Sequence, residues 1–187
     1  MLGKNHLAFG ITSALAASVI LNNAGIELDY TTVGIITASS AFGSLLPDID
    51  DPNSLIGRIF VHIASFINKV FGHRTITHDL MTFLPLFIAS LIVSLFAKDT
   101  IFFGIMFGYI GHLFLDSLTE QGICFNYFGH RKALRNGWGQ FGVGYIHLLP
   151  EKLRFKSNSF MANVVTTMLC ALNIYVVYSM YAVNLLK

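Results

Sequence analysis

The stretch IFFGIMFGYIGHLFLDSL, Ile101 to Leu118, decides how the rest of the chain is read. A helix over this run covers about 27 Å, close to the roughly 30 Å of a bilayer's hydrocarbon core. It carries no ionisable group until its last third, where His112 and Asp116 stand four residues apart. That spacing puts both side chains on one helix face. Ionisable groups inside a membrane are costly and face a partner or a water-filled cavity, so this run is both a span and a marker of a site. Glu120 extends the same stripe if the helix continues.

Working outward, Leu80 to Ala97 and Phe160 to Leu186 are equally free of charge and long enough to cross. Leu7 to Leu21 and Val33 to Leu46 are shorter and need flanking residues to complete a crossing. Both are rich in small residues, Gly10, Ala14 and Ser18 in one and Gly34, Ala38 and Gly43 in the other, which favour close helix packing. The expectation is an all-α, polytopic membrane helix bundle of about five spans. Composition agrees: 54% of the 187 residues are hydrophobic and 12% charged, against roughly a quarter charged in soluble domains. No linker or repeat divides the chain, so residues 1–187 read as a single membrane-embedded domain. Lys4 before an apolar stretch and Ala14-Leu15-Ala16 imitate a secretory signal, but the segment is expected to be retained as the first span. Cys124 and Cys170 fit no thiolate metal pattern and read as structural.

Basic residues set the orientation. With the N-terminus inside, Lys4, Arg58, Lys69, Arg74, Arg131, Lys132, Arg135, Lys152, Arg154 and Lys156 all fall on the inner side, leaving only Lys98 and Lys187 of the 12 outside. The positive-inside rule therefore predicts a cytoplasmic N-terminus. Leu55 to Phe71 alternates Arg58, His62, Ser65 and Lys69 with Ile56, Ile59, Phe60, Ile63 and Phe66 at helical spacing, the pattern of an amphipathic helix lying in the inner interface. The glycine-rich, basic stretch from Thr119 to Ser159, with Trp138, is expected at the same interface.

This topology sends three more polar clusters to the face where His112 and Asp116 lie. His6 begins the first span, Pro47-Asp48-Ile49-Asp50-Asp51 ends the second, and His73-Arg74-Thr75-Ile76-Thr77-His78-Asp79 precedes the third. Singly, each has an ordinary explanation: an interfacial histidine, a solvated turn, a helix cap, or a His–Asp hydrogen bond inside the bundle. Together, imidazole and carboxylate are ligands suited to zinc and related metals.

Three segments also carry a family likeness: Leu45-Leu46-Pro47-Asp48-Ile49-Asp50-Asp51-Pro52; His73-Arg74 with Thr77-His78; and Gly108-Tyr109, Gly111-His112, Asp116 and Thr119. Together they resemble the bacterial inner-membrane-associated metal-dependent hydrolases, a family also labelled LexA-binding. More distantly, the order of His, Pro-Asp, Thr-His and Gly-x-x-His-x-x-x-Asp is similar to zinc-dependent phospholipase C. The likeness runs from His6 to Gly122 and stops before the final span. Asp51 stands where that family often has histidine, and Asp79 follows His78 where serine is common. The resemblance implies a multi-pass protein of the bacterial inner membrane.

Motifs and resemblance together lead to metal-dependent hydrolysis of a membrane lipid at a phosphoester or pyrophosphate bond, on the cytoplasmic face. The expected ligands of a divalent metal, zinc first, are His6, Asp48, His78, His112 and Asp116, with His73 as a further candidate. Asp50 is the expected base or ligand-orienting carboxylate, and Arg58 and Arg74 the groups that hold anionic headgroup oxygens. Anionic phospholipid is the expected partner besides the lipid substrate. The alternatives are metal or proton transport, against which the clustering at one membrane edge counts, and a non-enzymatic regulatory module. Nucleic-acid binding is not expected, because the basic residues are needed at the membrane and no binding motif accompanies them.

Overall fold

The computed structural model describes residues 3–97, 100–127, 145–157 and 159–185. Lys98, Arg131, Lys132, Arg135, Trp138 and Lys187, used above to orient the chain, lie outside the described residues. Within them the apolar runs become helices: α1 (Gly3–Asn23), α2 (Tyr30–Gly43), α5 (Leu80–Ala97), α6 (Thr100–Ser117) and α7 (Phe160–Leu185). The stretches Gly3–Asn23, Tyr30–Asp50, Thr100–Ser117 and Phe160–Ser179 are long and apolar enough to cross a membrane. α5 keeps its expected bounds, 18 residues without a charge, with Pro85 inside it. The protein is an all-α membrane helix bundle.

Two boundaries differ from the sequence reading, for local reasons. Asp29 caps α2, its carboxylate accepting from Thr32 N at 3.1 Å, which moves the helix start outward from Val33. At the other end Pro47 does not terminate the apolar element. It sits in the first turn of a 3-10 helix, Leu46–Asp50, where its missing N–H has no partner to lose. The second span therefore carries Asp48 and Asp50 on its own end. α6, in contrast, stops at Ser117, and exposed Glu120 leaves the His112–Asp116 stripe.

The amphipathic helix is broken in two, α3 (Leu55–Ile59) and α4 (Val61–Phe71), at Phe60 with φ −112 and ψ 48. The break splits the apolar stripe. Ile56 turns into the protein, as does Ala64, whereas Ile59, Phe60, Ile63, Phe66 and Val70 remain exposed. After α6 comes an element the helical periodicity did not foretell, an antiparallel pair of short strands, β1 (Ile123–Cys124) and β2 (Tyr145–Ile146).

The centre of the bundle is the α2–α6 contact, with α1 packed on both and α7 packed on α1. Its closeness is set by glycines. A Cβ added at Gly108 would lie 1.9 Å from the Ser40 carbonyl oxygen, and one at Gly43 would lie 2.0 Å from that of Ile105. Small residues let backbones approach in lipid, where packing rather than apolar burial drives association. Of the small residues singled out in the sequence, Gly43 serves this contact and Gly10 the neighbouring one between α1 and α2, against Ser40 and Ser44. Gly34 has nothing within 4 Å and Ala38 is exposed.

Gly108→Leu must push α2 and α6 apart, a change of the overpacking kind that costs on the order of 1–3 kcal/mol or more. The expected result is a lower unfolding midpoint in detergent together with loss of the site described next. Gly34→Ala should leave both unchanged or slightly raise the midpoint. Equal stability of Gly108→Leu and wild type would show that the glycine contact does not hold the bundle.

Candidate metal centre

Four segments meet at one end of the spans. α1 supplies His6, the 3-10 turn after α2 supplies Asp48, the 3-10 turn Ile76–His78 supplies His78, and α6 supplies His112 and Asp116. All five are buried, the three histidines and Asp116 completely. Two groups of three, His6 with Asp48 and His112, and His78 with His112 and Asp116, each have their ligand atoms within 4.8 Å of one another. His112 belongs to both. Its ring stacks on that of His6 at 3.5 Å between centroids.

The hydrogen bonds around the two central imidazoles define which nitrogens face the cluster. His112 Nδ1 lies 2.6 Å from the Ser44 carbonyl oxygen, which can only accept, so Nδ1 carries the proton. Thr77 donates its hydroxyl to Asp50 Oδ2 at 2.6 Å, so its oxygen is left to accept from His78 Nδ1 at 3.0 Å. In their neutral forms both rings therefore present Nε2 as a lone pair, and these two atoms lie 3.2 Å apart. Asp48 Oδ1 is 3.8 Å from one and 3.7 Å from the other. Asp116 Oδ2 is 3.5 Å from one and 3.6 Å from the other. Two lone pairs and two carboxylates converging in a buried space call for a cation. The electrostatics point the same way: burial works against a charged His78, but Asp116 and Asp50 outweigh it and its pKa is raised. His6 adds a further free donor atom, since neither of its ring nitrogens makes a hydrogen bond among the described residues, although Nε2 lies 3.4 Å from Asp116 Oδ1.

The remaining candidates take other positions. Asp50 is fully buried but points away from the lone pairs; it accepts from Arg74 N at 2.7 Å and faces His73 Nδ1 at 2.8 Å. Through Thr77 it orients His78, the arrangement in which a carboxylate fixes a ligand's tautomer. His73 is half-exposed and stands in neither three-residue group. Arg74 enters the cluster itself: its Nη2 is 3.0 Å from Asp116 Oδ2, while Nε and Nη1 are buried with no hydrogen-bond partner among the described residues. Its backbone has φ +58, a left-handed conformation uncommon for a residue with a Cβ. The bond from its N–H to Asp50 helps hold it there. Arg58 is exposed and meets the cluster only through a shared pocket of about 370 Å³, lined also by Lys4, Asp48, Asp51, His73 and Arg74.

Three supporting groups escaped the sequence reading. The Ser44 carbonyl has no side-chain signature. Thr77 lay inside the quoted motif without a role, and Tyr109, three residues before His112, donates its hydroxyl to the Thr77 carbonyl. Asp79 caps α5, accepting from Thr82 N at 3.0 Å, and also accepts from Tyr127 N at 3.2 Å, so it ties the start of the helix to the segment after β1. Beside it, burial pushes the Cys124 thiol up to about 11, which fits a structural cysteine.

Fold and site together define a helical membrane protein with a buried histidine–aspartate cluster at one end of its spans. The chain belongs to the YdjM inner membrane protein family, whose pattern matches residues 1–185. It is 39% identical over 124 residues to YvsG of Bacillus subtilis strain 168, covering 66% of this chain and 71% of that protein. It is 32% identical over 128 residues to the inner membrane protein YdjM of Escherichia coli K12, and to the same degree to that of Shigella flexneri. Those two matches cover 66% of this chain and 63% of the relative, less than two thirds of its length. No solved structure matches.

Asp116→Asn keeps size and removes charge, so bound metal measured by elemental analysis should fall at least tenfold while the helical content is retained. Thr77→Val should weaken metal binding by about 10- to 100-fold, the usual range for losing a group that orients a ligand. Asp29→Asn, at the far end of α2, should change neither. Full metal content in Asp116→Asn would remove that carboxylate from the ligand set.

Proposed function

We propose that this chain is a metal-dependent hydrolase of a lipid phosphoester or pyrophosphate, working at the cytoplasmic face of the bacterial inner membrane. The observation that carries the reading is Arg74: a buried guanidinium that touches the Asp116 carboxylate and keeps two donors without a partner among the described residues, beside two histidine lone pairs. Unfilled Arg donors next to a cation site suit phosphoryl oxygens, which guanidinium binds in a planar, charge-assisted way. The open pocket adds Lys4 and Arg58 beside Asp48 and Asp51, so that with Arg74 its three full positive charges outnumber its two carboxylates and favour an anionic headgroup. The motif order, which resembles that of zinc-dependent phospholipase C, suggests the same class of bond from the sequence. A LexA partner forms no part of this proposal.

His6, Asp48, His78, His112 and Asp116 would hold the metal, zinc first by ligand type. A bound divalent metal lowers the pKa of water and polarises a phosphoryl oxygen. The chain's own groups do the rest. Ser44 and Thr77 hold two imidazoles in the tautomers that face inward, Asp50 braces Thr77 and the Arg74 backbone, and Arg74 positions the phosphate. The exposed apolar residues of α3 and α4, flanked by Arg58 and Lys69, lay these helices on an anionic bilayer surface, with each basic side chain near the surface contributing about 1 kcal/mol.

Wild-type protein purified in detergent should contain metal and turn over at least one member of a panel of lipid phosphoesters and pyrophosphates. Arg74→Gln should keep the metal but lose at least about tenfold in kcat/KM, a barrier change of about 1.4 kcal/mol. Metal-loaded wild type that hydrolyses nothing in the panel would overturn the hydrolase reading in favour of transport or regulation. The cytoplasmic placement is checked by cysteine-accessibility labelling in intact cells. A cysteine at Asn53 should be protected from an impermeant reagent and one at Asn23 labelled; the reverse pattern would invert the topology.

A further inference from the structure

Two hollows lie along the same face of α1. The polar pocket includes Gly3 and Lys4 at the start of the helix. The other, about 580 Å³, has Ile11 and Leu15 of α1 as its floor, Thr37 of α2 as one wall, and Ile174, Val177 and Tyr178 of α7 as the other. Lys4, Ile11 and Leu15 follow at steps of seven and four residues, which keeps them on one helix face. The other faces of α1 are taken. His6 and Phe9 meet α6, Gly10 meets α2, and Asn5, Ala8 and Thr12 bond with α7. Between the α2 contact at Gly10 and the α7 contact at Ala8 and Thr12, Lys4 and Ile11 keep some exposure, and Leu15 closes the far end as a buried side chain.

Its dimensions and chemistry are those of a lipid. From Lys4 to Leu15 the helix rises about 16 Å, close to one leaflet, half of the roughly 30 Å hydrocarbon thickness. The mouth carries Lys4, Arg58 and Arg74 against Asp48 and Asp51, a positive balance among its full charges, and the depth is lined almost wholly by apolar side chains. We propose that the α1–α2–α7 groove holds one hydrocarbon chain of a lipid whose phosphate occupies the polar pocket beside Arg74. The proposal rests on the phosphate reading for the headgroup, and on the groove for the chain.

The test uses full-length protein in nanodiscs with a phosphatidic acid probe bearing a diazirine near the end of one acyl chain. After irradiation, labelled residues are mapped by mass spectrometry. Label should concentrate on Ile11, Leu15 and the segment from Asn173 to Tyr178, and unlabelled phosphatidic acid should compete where phosphatidylcholine does not. Val177→Trp, which fills the groove from an exposed position, should cut that labelling about tenfold, the equivalent of about 1.4 kcal/mol. Leu86→Trp on the exposed side of α5 should not. Label spread evenly over α5 and α7, without competition and indifferent to Val177→Trp, would mean bulk lipid only and overturn the groove. Crosslinking needs no turnover, so the two readings separate. Concentrated, competed label in a protein that hydrolyses nothing keeps the groove and removes the hydrolase. Hydrolysis with labelling and KM unchanged in Val177→Trp keeps the hydrolase and removes the groove.

Discussion

The distance between α2 and α6 governs nearly everything at the polar end of this bundle. Gly43, Gly104 and Gly108 let the two helices meet backbone to backbone, with Gly104 against Ser39 and the Ile36 carbonyl. One turn beyond Gly108, the same closeness brings His112 Nδ1 within 2.6 Å of the Ser44 carbonyl. That carbonyl is free to accept because α2 ends at Gly43, so an orphan acceptor of the helix terminus becomes the group that fixes an imidazole. Larger side chains at these glycines would preserve two good helices and still lose the orientation of His112. The bundle's packing and the cluster's chemistry are thus one constraint seen at two places along α6.

A second level of order comes from Asp50. It receives the Arg74 backbone N–H, the Thr77 hydroxyl and the His73 ring, and so ties the turn after α2 to the turn before α5. A buried carboxylate without such partners would be strongly unfavourable; here each partner also has a task in the cluster. Thr77 passes the orientation to His78, and the Arg74 N–H keeps that residue in its left-handed conformation. The cluster residues are therefore held by backbone and side-chain bonds from a shell centred on a fully buried carboxylate.

Much of this was legible in the sequence, and the parts that were not have physical causes. The apolar runs located the long helices, and the i, i+4 spacing of His112 and Asp116 placed both on one face, as the structure has them. His6, Asp48 and His78 came to the same place because short connections leave the chain little choice. Helix ends were harder. Asp29 and Pro47 extend α2 through capping and a 3-10 turn, effects of local geometry that an apolar count does not register. The roles of Asp50 and His73 depended on which carboxylate oxygen meets which ring, information absent from spacing. Glycine content pointed to close packing but not to which glycines: Gly34 and Gly43 read alike, and only the structure separates the exposed one from the one under Ile105. The strand pair after α6 had no periodic signal because each strand is two residues long.

The order of the cluster residues along the chain bears on how the protein is made. His6, Asp48 and His78 emerge from the ribosome well before His112 and Asp116, and none of the earlier segments brings a complete three-residue group by itself. Spans insert first and associate afterwards, so the early histidines and aspartates enter the membrane edge without their partners and remain solvated until α6 arrives. α7 contributes no member of either group. The final helix adds cover instead of ligands: Thr166 donates to Asn5 beside His6, and Ala162 packs on Leu115 beside Asp116, so α7 seals a cluster whose members were all supplied before it.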